Sequence, residues 1–108
     1  MRRGDVVIVA TRGPYTGKRR PALVVQADLF NETHASLTVC PVTSDAIDAP
    51  LFRISLPPGA RTGLQSTSQV MVDKVVSVPR SAMGRTIGHC DADELQQVDD
   101  ALRRWLAL

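Results

Sequence analysis

Aromatic side chains are scarce in this 108-residue sequence, where Tyr15, Phe30, Phe52 and Trp105 are the complete set. A module that grips Pro-rich peptides needs an aromatic-lined groove, so this supply counts against one. Long apolar runs are missing as well. Val6 to Ala10 and Ala22 to Val25 stop far short of the roughly 20 residues that span a bilayer, so no transmembrane helix is expected. The opening Met1-Arg2-Arg3-Gly4-Asp5 is followed by an apolar stretch that Thr11-Arg12-Gly13-Pro14 interrupts too soon for a signal peptide, which points to a cytoplasmic protein. Cysteine is limited to Cys40 and Cys90 and histidine to His34 and His89; no Cys-x-x-Cys or His-x-x-x-His spacing joins them, so neither a disulfide framework nor a metal site is expected. The common enzyme signatures are also missing: no phosphate-binding Gly-rich loop with lysine, no Gly-x-Ser-x-Gly elbow, no His-Glu-x-x-His helix.

What is present fits one domain over residues 1–108. Apolar residues form 44% of the chain and charged residues 22%, which is ordinary for a globular protein. Net charge is only +2, but its distribution is uneven. Arg2, Arg3, Arg12, Lys18, Arg19 and Arg20 place six of the 13 basic residues in the first twenty positions, against the single acid Asp5. That end either faces phosphate or is a solvated loop.

Val6-Val7-Ile8-Val9-Ala10 reads as a strand buried on both faces. Thr11 to Lys18, with Gly13-Pro14 and Gly17, reads as a loop, and Pro21 to Gln26 as a second strand beginning at its proline. Leu37 to Thr43 reads as a third, with Pro41 implying an edge position or a bulge. Phe52 to Leu56 alternates strictly, Val70 to Val78 is a further β-branched run, and Thr86-Ile87-Gly88 suggests a short last strand. The period then changes. Leu95, Val98, Leu102, Trp105 and Leu106 recur along one helical face, with Asp91 at the N-cap and Glu94 three residues on, as in a capping box. Trp105 reads as a core residue of that helix. Strands closed by one terminal helix suggest a small, mostly antiparallel barrel or a sandwich.

Two segments remain as carriers of chemistry: Arg19-Arg20-Pro21, where a loop meets a strand, and Pro41-Val42-Thr43-Ser44, where another strand ends. With Arg3-Gly4-Asp5-Val6 they resemble the MazF/PemK toxins in order and spacing. The likeness continues through Gly63-Leu64, Ser68-Gln69-Val70, Asp73-Lys74-Val75, Ile87-Gly88 and Asp99-Asp100-Ala101-Leu102.

The resemblance implies an SH3-like barrel that dimerises, needs no cofactor or metal, pairs with a cognate antitoxin, and cleaves single-stranded RNA to a 2′,3′-cyclic phosphate and a 5′-hydroxyl. It implies Arg20 and Thr43 as catalytic residues. A guanidinium suits that chemistry because it donates to two phosphate oxygens as negative charge gathers on them, while Thr43 offers a hydroxyl. Adjacent strand residues point to opposite faces, so only one of Arg19 and Arg20 is expected to aim inward. The sequence departs from the PemK-like pattern at Met71-Val72-Asp73 and at Pro14, so that Asp73 alone survives of a further set; it is either a general base or the partner of a basic neighbour. Ser44 either assists Thr43 with phosphate or opens a turn. Arg12, Tyr15, Lys18 and Arg19 either track RNA, with Tyr15 stacking on a base, or form an exposed loop. The competing reading is a gyrase poison like CcdB, which shares the fold but acts by binding a protein.

Overall fold

The structure, a computed structural model, describes residues 1–10 and 18–108. Its elements are β1 (Asp5–Ala10), β2 (Arg19–Val24), a short α1 (Asp28–Asn31), β3 (Ser36–Thr43), β4 (Arg53–Leu56), β5 (Ser68–Met71), β6 (Val76–Pro79), β7 (Met83–His89) and α2 (Ala92–Leu106). All strand pairings are antiparallel, in the order β4-β5-β3-β2-β1-β7, with β6 also on β3. The segment after β4 meets β7, where the His89 N–H donates to the Arg61 carbonyl at 2.8 Å. This is the mainly β single domain with a C-terminal helix that the sequence implies.

The β-branched run of β1 and the apolar run that ends β2 are continuous because these stretches are buried on both faces. Val6, Leu23, Cys40, Val42 and Ile54 pack in a core that includes Val98 and Ala101 of α2. Val7, Val9, Ala22, Val24, Leu37 and Val39 form a second cluster, against Val78, Ala82 and Met83. The helix starts at the expected capping box: the Asp91 side chain accepts from the Glu94 N–H, and the Glu94 carboxylate from the Asp91 N–H, both at 2.8 Å.

Five expectations need correction. Pro41 sits neither on an edge strand nor at a bulge, since β3 lies inside the sheet and pairs in even register with β2. Its missing N–H is tolerated because the other side of β3 changes partner there: residues 36–39 pair with β6, and 42–43 with β5. The run from Val70 to Val78 is two strands separated by a 3₁₀ turn at Val72–Lys74, where the chain leaves the β4–β5 ladder and crosses to the far end of β3. β2 runs from Arg19 to Val24, two residues earlier at each end than the apolar pattern suggests, because its entrance is carried by two exposed arginines, and β7 spans seven residues where the pattern suggests only Thr86 to Gly88. Trp105 is half exposed; it rests on Phe52, with ring centroids 5.6 Å apart, and does not enter the core. Beside it, the Arg104 guanidinium holds the Leu51 carbonyl at 2.6 Å.

Candidate active site: an arginine-lined cavity

β2 enters the sheet through Arg19 and Arg20, which pair only with Ala10 and Val9 of β1; pairing with β3 begins at Ala22. The β2 entrance therefore forms part of a rim. Thr43 and Ser44 lie at the end of β3, and the segment from Gly63 to Ser66 forms a further wall. Between them is a cavity of about 400 Å³ with an apolar floor that includes Ile8, Val42 and Ile87. The structure thus brings Arg20, Thr43, Ser44 and Arg19 to one place.

Both arginines border this cavity, and the register sets them on opposite faces of β2: Arg19 pairs with Ala10 and Arg20 with Val9. Only Arg20 also borders the apolar groove on the other face of the sheet, with Val39, Val76 and Val78. The Thr43 hydroxyl accepts the Asp45 N–H at 3.1 Å, which fixes the turn and leaves its own hydrogen to donate. It is this hydroxyl, rather than that of Ser44, that braces the turn.

The wall opposite is set by close backbone approaches. Gly63 has φ +72°, and a Cβ there would fall 2.1 Å from the Ile87 carbonyl oxygen. Only glycine permits that contact. It fixes the Gly63–Ser66 segment against β7 and directs Gln65 and Ser66 to the cavity.

The charge of the lining is one-signed. Among the described residues it contains Arg19, Arg20 and Arg85 with no carboxylate, imidazole or thiol, and none of the three guanidiniums has an ion pair or hydrogen bond there. Hydroxyls from Thr43, Ser44, Ser66 and Ser68 complete the polar surface. Such a site attracts an anion with several oxygen acceptors.

Asp73 is placed elsewhere. Arg53 grips its carboxylate with Nε–Oδ1 at 2.8 Å and Nη2–Oδ2 at 3.2 Å, and these bonds hold its pKa below the usual carboxylate value. Of the two readings of Asp73, its geometry is that of an ion-pair partner, and the partner is Arg53 rather than Lys74. Lys18 is exposed, just before β2, and does not line the cavity. Arg12 and Tyr15 lie outside the described residues. Arg85, Gln65, Ser66 and Ser68 were not legible as site residues, because nothing in their local pattern tells that β7 and the Gly63–Ser66 segment meet the β2 entrance.

The chain is similar to known proteins over nearly its whole length. Residues 2–106 match the family described as the PemK-like, MazF-like toxin of type II toxin-antitoxin systems. The chain is 45% identical over its whole length to a probable endoribonuclease MazF of Mycolicibacterium smegmatis, covering 98% of that protein, and 35% identical to endoribonuclease MazF9 of Mycobacterium tuberculosis, again covering 98%. Among solved structures, a MazE–MazF complex from Deinococcus radiodurans superposes with a TM-score of 0.84 at 29% identity, covering all of this chain and 96% of that one. The match over nearly every residue, and not the cavity alone, shows that the chain belongs to the MazF/PemK family of toxins.

Proposed function

We propose that this protein is an endoribonuclease toxin that cuts single-stranded RNA in the arginine-lined cavity without a metal ion. The observation that carries the reading is the grouping of unpaired guanidiniums with the Thr43 hydroxyl in a cavity free of carboxylates. The ribose 2′-hydroxyl attacks the adjacent phosphorus, forming the P–O2′ bond and breaking the P–O5′ bond, which leaves a 2′,3′-cyclic phosphate and a 5′-hydroxyl. Arg20 donates to the nonbridging oxygens as they gain charge, and Thr43 donates a further hydrogen bond. The described lining offers no base for the 2′-hydroxyl proton; it passes to solvent, and the departing O5′ takes a proton in return. Ser44 and Arg19 hold the same strand. Metal independence follows from the donor set, since guanidiniums and neutral hydroxyls repel or hold a divalent cation poorly.

The partners follow from the same surfaces. A cognate antitoxin inhibits by laying acidic and apolar side chains over the RNA path. The apolar groove of about 310 Å³ beside Arg20 suits burial in a homodimer.

The reading is tested by incubating purified protein with single-stranded RNA in excess chelator and labelling the products directly with polynucleotide kinase, which requires free 5′-hydroxyls. Cleavage with labelled 3′-side fragments is expected. Intact RNA, or cleavage only after magnesium is added, would overturn the reading and favour the gyrase-poison alternative.

A further inference from the structure

β7 does not pair evenly with β1. Val6 faces Gly88, Val7 faces Thr86 and Val9 faces Met83, so β7 carries one extra residue at Ile87 and another within Gly84-Arg85, opposite Ile8. These are two single-residue bulges in one strand, and a bulge re-aims the side chains around it. Ile87 and Arg85 are the two β7 residues that line the cavity.

Gly84 makes the second bulge possible. A Cβ at this position would lie 2.8 Å from the Ile8 carbonyl oxygen and 3.4 Å from Nη1 of Arg19. Its absence lets β7 close on β1 and leaves room for the Arg19 side chain to cross β1 toward β7. Arg85 then stands at the cavity with no ion pair or hydrogen bond among the described residues. An unpaired guanidinium placed by a backbone irregularity, beside two others, is a poor arrangement for stability and a good one for a polyanion.

We propose that Arg85 is an RNA-binding residue that holds a phosphate adjacent to the one engaged by Arg20; this rests on the ribonuclease reading. β1 lies between β2 and β7, so the backbones that carry Arg20 and Arg85 are about two strand spacings, roughly 10 Å, apart. That separation suits two successive phosphates of one strand better than one phosphate held from both sides. Arg85 therefore contributes to substrate affinity and register, while Arg20 acts on the reacting phosphate.

The test uses the intact protein and an RNA oligonucleotide with 2′-deoxyribose at the cleavage position, which binds but cannot be cut. Its dissociation constant is measured by fluorescence anisotropy across a salt series, for the wild type, Arg85→Gln and Arg85→Lys. For a single strand the slope of log affinity against log salt should shallow by about 0.7 in Arg85→Gln, the contribution of one phosphate contact, and recover in Arg85→Lys. On cleavable RNA, Arg85→Gln should raise KM roughly tenfold with little change in kcat. An unchanged slope, or a loss confined to kcat, in a wild-type background that binds and cleaves would overturn the role of Arg85 alone. Failure of the wild type to bind or cleave RNA would instead overturn the ribonuclease reading, and this assignment with it.

Discussion

Arg53 and Arg61 are each gripped by a carboxylate through two contacts, Arg53 by Asp73 and Arg61 by Glu94 at 2.7 and 3.0 Å, whereas Arg19, Arg20 and Arg85 share a cavity without any carboxylate. The two sets do different work. Arg53, with only 9% of its side chain exposed, fastens β4 to the 3₁₀ turn after β5, and Arg61 ties the segment after β4 to the first turn of α2. Among the described residues, the cavity arginines fasten nothing. Three like charges held together repel one another, and the fold gains nothing from them until an anion arrives. The fold thus separates guanidiniums that a carboxylate holds from guanidiniums left open to an anion.

The sharpest way to break this contrast is to truncate one arginine from each set. Arg20→Ala should lower the single-turnover cleavage rate by about 10²–10³, the usual loss for one transition-state donor, with the thermal midpoint unchanged. Thr43→Ala should lower it less, roughly tenfold, because it removes one neutral hydrogen bond. Asp73→Asn should do the reverse. It breaks the Arg53 pair and should reduce unfolding free energy by about 1–3 kcal/mol in denaturant titration, while cleavage by the folded protein stays near the wild-type rate. A large loss of kcat in folded Asp73→Asn would restore Asp73 to the chemistry.

The paired set also carries a pH signature. The folded-state pKa of Asp73 is depressed, so its stabilisation is present above the ordinary aspartate value of 3.8 and is lost as pH falls below it; urea midpoints should drop in that acid range for the wild type and less for Asp73→Asn. The thiols act at the other end of the scale. Burial raises Cys40 to about 12 and Cys90 to about 11, so their contribution is present below the ordinary thiol value of 9.0 and lost as pH climbs toward those values. At pH 8 neither should be alkylated by iodoacetamide in the folded protein, and both should react once it is unfolded.

The division also governs what could be read from the sequence. The two-sided burial of β1, the capping box at Asp91 and Glu94, and the meeting of Arg20 with Thr43 were legible, because local periodicity and ordered family motifs carry them. Arg85 was not. Its place depends on two register shifts between β7 and β1 and on Gly84 approaching the Ile8 carbonyl, and pairing register is a long-range property that no local window records. Asp73 was ambiguous for a related reason, since its partner Arg53 lies twenty residues away on another strand. Pro41 misled because a missing N–H marks an interrupted ladder, and an interior strand that changes partners interrupts a ladder as an edge does.

Gln65→Glu tests the separation of binding from stabilising arginines most directly, because it sets one carboxylate in the cavity with almost no change of shape. Cleavage rate and thermal midpoint are to be measured on the same preparation. The account predicts slower RNA cleavage, by roughly tenfold or more, with a midpoint equal to or above that of the wild type, since the unpaired guanidiniums gain a partner and the RNA loses them. Wild-type cleavage in a variant whose midpoint falls would contradict it.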